Sequence, residues 1–184
     1  MTEKRVLTLW NDEGVNESDI SILRKKSSEI PVPLDKKAHE DIKALVDSFT
    51  NRNDAVGLAA PQIGINKRII VFRNKDREEG QKNTEDIEVL INPRITQTRG
   101  EKVTMTEGCL SCPEIQVEIS RFPEIKVRAF NARGEKISKR YLDFVARVVQ
   151  HEIDHLDGKL IVDYEGNSYY PSEKQSFFEK IFKG

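Results

Sequence analysis

Apolar residues recurring every three or four positions mark one helix early in the chain. After Asp35, a candidate N-cap, Ala38, Ile42, Leu45, Val46 and Phe49 fall on one face, which predicts an amphipathic helix over 36–52. Shorter runs rich in β-branched residues predict strands at Arg68–Phe72, Glu88–Asn92 (ended by Pro93), Val117–Arg121, Ile125–Phe130 and Ile137–Tyr141. The segment GLAAPQIGIN from Gly57 reads as a small-residue turn, and Asn131-Ala132-Arg133-Gly134 as the turn between the last two strands. A second helix is expected from Phe144 to Asp157, with Asp143 as cap and Gly158 as its stop. Ser172-Glu173-Lys174-Gln175 has the form of a capping box opening a last helix over 172–183. The first 33 residues are weakly periodic and end in Ile30-Pro31-Val32-Pro33, an extended stretch. The polar residues 74–86 read as an exposed loop. Strands grouped together, with helices at the ends and one between, predict an α+β fold. Its short antiparallel strands surround the 144–157 helix, flanked by the helix of the N-terminal half and the C-terminal helix, in one domain over 1–184.

Composition narrows the function. Thirty basic residues against 31 acidic ones leave a net charge of -1. That balance supplies no basic footprint for nucleic acid and no polybasic stretch for an anionic membrane. The apolar run Val6–Trp10 is too short for a secretory signal, and no apolar segment is long enough to span a bilayer, so the expected compartment is the cytoplasm. The two cysteines, Cys109 and Cys112, are too close in sequence for a disulfide to stabilise much. They read as metal ligands, reactive thiols or small buried side chains.

The chemistry concentrates in His151-Glu152-Ile153-Asp154-His155. Four residues apart on a helix, both imidazoles share a face and reach one ion, with Glu152 beside them for proton transfer. A catalytic site of this kind needs a third protein ligand and an open position. The metzincin pattern HExxHxxGxxH breaks at its last place, which is Ile161, and a downstream glutamate ligand is replaced near its expected position by Gln175. His39 lies in the first helix. Cys109 and Cys112 remain, each offering a thiolate. A closed structural site of both cysteines and both histidines is the competing arrangement, but 38 residues separate the pairs and Glu152 would have no task.

Three segments in this order and spacing resemble the peptide deformylase family: Gly57-Leu58-Ala59-Ala60-Pro61-Gln62, Glu107-Gly108-Cys109-Leu110-Ser111 and Gln150-His151-Glu152-Ile153-Asp154-His155. The resemblance runs from about Ile22 to about Tyr164. It implies that Cys109 joins His151 and His155 as metal ligand, that Cys112 does not, and that Glu152 is general base and acid. It gives Gln62 and the backbone N–H of Leu110 to the oxyanion. It implies removal of the N-formyl group from the first methionine of new polypeptides. By the same resemblance Gly57, Val56, Met105, Phe144 and Val148 bind substrate, and Arg121 pairs with Asp154 to brace the metal helix. The implied ion is Fe2+, with Zn2+ or Ni2+ as substitutes, whereas ligand softness alone suggests zinc. Formyl-methionyl nascent peptides are the implied partners. The resemblance leaves room for a transient ribosome contact, for which three lysines against two glutamates in the last helix make no charge argument. Ala55 replaces a usual glycine, Gln116 replaces a substrate-binding arginine, and the loop 74–86 is longer than in compact members.

Overall fold

In the computed structural model the described residues are 4–74 and 86–183. Most of the expected loop at 74–86 lies outside them, and the Asn74 N–H donates to the Asp86 carbonyl at 2.7 Å across its ends. Five antiparallel strands form the main sheet in the order β3 (Gly57–Ala59), β4 (Ile69–Arg73), β5 (Ile87–Arg99), β8 (Glu124–Phe130), β9 (Lys136–Leu142). Helix α2 (Lys36–Thr50) covers one face and helix α3 (Asp143–Leu156) the other. The continuous apolar run of β4 follows from this sandwiching. Successive side chains point to opposite faces, so Ile69 and Val71 join the core under α2 while Ile70 and Phe72 join the core under α3.

A smaller sheet stands beside the first, in the order β10 (Ser168–Tyr169), β7 (Cys112–Arg121), β6 (Val103–Cys109). Ile115, Val117 and Ile119 of β7 bury against Leu7, Leu9, Trp10 and Phe178. Phe178 lies on the C-terminal helix α4 (Gln175–Lys183), with its ring edge-on to Trp10 at 5.4 Å. The N-terminal stretch, weakly periodic in sequence, forms a hairpin of β1 (Trp10–Asn11) and β2 (Gly14–Val15), then helix α1 (Glu17–Leu23). Among the described residues no helix is long and apolar enough to cross a membrane.

Several expected boundaries move. Pro93 does not end its strand. The register with β8 shifts between Ile91 and Arg94, and Asn92 takes a φ of 51°, so the proline sits in an irregularity and the strand runs on to Arg99. The Asn92 carboxamide accepts from the Ile30 N–H at 2.9 Å and donates to its carbonyl at 2.8 Å, fixing the extended 30–33 segment. Gly57–Ala59, expected as a turn, is an edge strand continued by a 3-10 turn over Ala60–Ile63. Asp143 is the first residue of α3, at a φ of 47°, and not its cap. The Ser172 box does not form: Ser172–Lys174 is a 3-10 turn, and the α-helix starts at Gln175. Asp35 does cap α2, accepting from the Ala38 N–H at 2.7 Å.

Candidate active site

Two elements bring the metal-type donors together. On α3, His151 and His155 are one turn apart, with their Nε2 atoms 3.2 Å from each other. Cys109 ends β6, paired in register with Cys112, and its Sγ lies 3.3 Å from His155 Nε2. One donor atom from each of Cys109, His151 and His155 falls within 4.8 Å of the others. A tetrahedral ion with bonds of about 2.0–2.3 Å needs donors roughly 3.3–3.7 Å apart, so the set fits a single divalent ion with little movement.

The sulfurs differ in charge. A hydrogen bond from the Cys112 thiol holds Cys109 well below the usual thiol range, aided by the His155 imidazole and opposed by burial. The same contact, with burial, pushes Cys112 up. Cys112 packs in the core with Ile115 and Val117. Of the two cysteines left open by the sequence, it is Cys109 whose sulfur sits with the two imidazoles among the described residues.

Glu107 organises the region from behind, a role the sequence reading did not assign. Its carboxylate accepts from Arg121 Nε at 2.6 Å and Nη2 at 2.9 Å, from Arg147 Nη1 at 2.6 Å, and contacts His151 Nδ1 at 3.0 Å. Burial by itself would raise the Glu107 carboxyl, but the hydrogen bonds from His151 and Arg121 outweigh it and hold the group at about 2. With Nδ1 taken, His151 is left with Nε2 to face Cys109 and His155. Arg121 also reaches Asp154 Oδ2 at 2.9 Å, and Tyr164 donates to that oxygen at 2.6 Å. The expected Arg121–Asp154 pair is therefore present, and with Arg121 only 5% exposed it is no surface pair. The available signal for Glu107 was an acid inside an otherwise small and apolar motif.

Glu152 is buried, and among the described residues its Oε2 has no hydrogen-bond partner. Burial raises its carboxyl to about 6 against the pull of the two histidines, a value suited to giving and taking protons near neutrality. Its position depends on Gly57. A Cβ there would lie 2.9 Å from Glu152 Cδ and 2.8 Å from Val148 Cγ1, so the missing side chain is space the carboxylate occupies. Gln62 is oriented at both ends. Its Oε1 accepts from the Ala59 N–H at 2.9 Å, while Nε2 lies 3.2 Å from Ser111 Oγ and 3.9 Å from Cys109 Sγ. Leu110 follows Cys109 in the same turn.

A cleft of about 900 Å³ opens onto these groups, lined by Val56, Gly57, Gln62, Met105, Leu110, Phe144, Val148, His151 and Glu152. Val56, Met105 and Phe144 are 41%, 45% and 42% exposed, so they are cleft surface and not core. Val148 forms the buried floor at 6%. His155 is deeper still at 1%.

Residues 14–168 match the family model described as polypeptide deformylase. Peptide deformylase 1 of Clostridium acetobutylicum is 44% identical over 142 residues, covering 77% of this chain and 87% of that protein. The crystal structure of the peptide deformylase from Thermotoga maritima superposes with a TM-score of 0.73 at 34% identity, covering 91% of this chain and all of that one. A Met-Ala-Ser-bound peptide deformylase from Acinetobacter baumannii gives a TM-score of 0.70 at 29% identity, covering 86% of this chain and 99% of that one. With a family match across most of its length and relatives of this identity, the chain belongs to the polypeptide deformylase family.

Proposed function

We propose that this chain removes the formyl group from N-formyl-methionyl peptides at one divalent metal held by Cys109, His151 and His155. The observation that carries this reading is the meeting of those three donors within 4.8 Å beside a buried carboxylate, at the head of an apolar cleft. A bound ion supplies Lewis acidity and lowers the pKa of water. Glu152 takes the proton of the attacking water and passes it to the departing amine. Gln62 Nε2 and the Leu110 N–H donate to the oxyanion of the tetrahedral adduct. The C–N bond then breaks, releasing formate and a free amino-terminal methionine. Two imidazoles and one thiolate suit zinc or ferrous iron; we assign Fe2+ on the family's precedent.

The cleft suits an extended peptide. β3 is one edge of the larger sheet and β6 one edge of the smaller, and the cleft is lined from both. A peptide whose first residue enters between them can meet backbone groups of either edge. Val56, Met105, Phe144 and Val148 offer the methionine side chain an apolar enclosure, and the thioether chain adapts well to such a surface.

The test is formate release from formyl-Met-Ala by protein purified without oxygen, with its metal content measured on the same sample. Glu152→Ala should keep the metal and lose about 100- to 10,000-fold in kcat. Wild-type protein that holds the ion but releases no formate would overturn the reading; substantial turnover by the variant would remove Glu152 as the base.

A further inference from the structure

The cleft extends past the methionine enclosure to a wall that starts in the Glu107–Ser111 motif and continues beyond it. Gly108, Gln116 and Tyr169 face one another across β6, β7 and β10, in register from strand to strand. All three line the cleft, together with Tyr170. Gly108 is adjacent to Cys109, so this row starts at the reacting centre and ends at the Tyr169 ring. Two strand spacings of about 4.8 Å separate Gly108 from Tyr169, roughly the reach of three residues of extended peptide at about 3.3 Å each.

Tyr169 is held in place from several directions. Glu118 of β7 donates its N–H to the Asn167 carbonyl at 2.9 Å. Its carboxylate accepts from Asn167 Nδ2 and from the Tyr169 hydroxyl, each at 2.8 Å. A Cβ at Gly166 would collide with the Glu118 carbonyl carbon at 2.7 Å, so only glycine lets the chain come this close. The Tyr170 ring packs at 5.0 Å, tilted by 39°, against that of Phe178, which is fully buried. A two-residue strand fixed this thoroughly still leaves Tyr169 49% exposed. Its hydroxyl is occupied, so what it offers the cleft is the ring.

Resting on the deformylase reading above, we propose that Tyr169 is a specificity-determining residue. Its ring forms a subsite for a large apolar side chain on the third or fourth residue of the substrate. An aromatic face pre-set in this way gains affinity without ordering a flexible loop. The contact is remote from the formyl group and is the same in ground and transition states, so it acts on KM and not on kcat.

The experiment compares formyl-Met-Ala, formyl-Met-Ala-Gly-Gly and formyl-Met-Ala-Phe-Phe with wild-type, Tyr169→Ala and Tyr169→Phe proteins. Wild type should show a KM about fivefold to tenfold lower for the Phe-Phe peptide than for the Gly-Gly peptide, the loss expected for one aromatic contact. That preference should vanish in Tyr169→Ala and persist in Tyr169→Phe, which keeps the ring. Equal KM for the two tetrapeptides in wild type, or a preference unchanged in Tyr169→Ala, overturns the subsite. Failure of wild type on formyl-Met-Ala itself would instead overturn the parent reading.

Discussion

Gly57 shows how much one side chain's absence can control. The family resemblance gives Gly57 to substrate binding; the structure adds that the space beside it is filled by Glu152 and Val148. Gly57→Ala should push the carboxylate from its place and lower kcat about a hundredfold, the effect of an ångström-scale misplacement. Metal content should be unchanged, because the atoms nearest the new methyl belong to Glu152 and Val148 and not to a donor. A variant with normal kcat would mean the carboxylate has room to move. The residues legible in the sequence are those whose geometry is local. His151 and His155 are one helical turn apart, so a spacing rule finds them. Glu107 meets Arg121, Arg147 and His151 from 14, 40 and 44 residues away, and no local pattern encodes that meeting.

At the scale of elements, helices α2 and α3 were readable because each buries a wide apolar stripe against the main sheet. Strand β6 was not: Val103 to Thr106 are all exposed, so no alternation of apolar and polar positions marks them. Helix α1 is only seven residues long, and its cap residue Asn16 makes no side-chain cap hydrogen bond. What locks β6 and β7 to α3 is the buried charge network. Arg121 of β7 joins Glu107 of β6 to Asp154 of α3, while Arg147 of α3 donates to the carbonyls of Ile119 at 2.9 Å and Val103 at 2.5 Å. Removing one partner strands the others, at a cost of about 3–5 kcal/mol. Arg121→Ala should therefore lower the melting temperature by on the order of 10 °C for a chain of this length. A neutral variant would mean that water replaces the guanidinium without penalty.

Across the whole molecule, the same network sets the response to acid. Glu107 titrates at about 2 in the folded protein against 4.5 when free. A depressed carboxyl stabilises the fold above its unfolded value, and that stabilisation is lost as pH falls from about 4.5 toward 2. The shift corresponds to roughly 3 kcal/mol. Urea unfolding followed from pH 6 to pH 2.5 should show this acid-dependent loss in wild type and a much smaller one in Glu107→Gln. Parallel pH profiles would assign acid sensitivity to other carboxylates. The placement of the metal-type donors has a mechanical consequence as well. Cys109 closes the small sheet, and His155 belongs to the helix packed on the large one, 46 residues further along. An ion shared between them acts as a cross-link on the chain, removing unfolded-state freedom as a covalent bridge over such a loop would, by roughly 4 kcal/mol. A chelator should then lower the melting temperature of wild-type and Cys112→Ser protein alike, and leave Cys109→Ala unmoved. The catalytic ion would in that case be the rivet between the two halves of the fold, and losing it would loosen the enzyme as well as silence it.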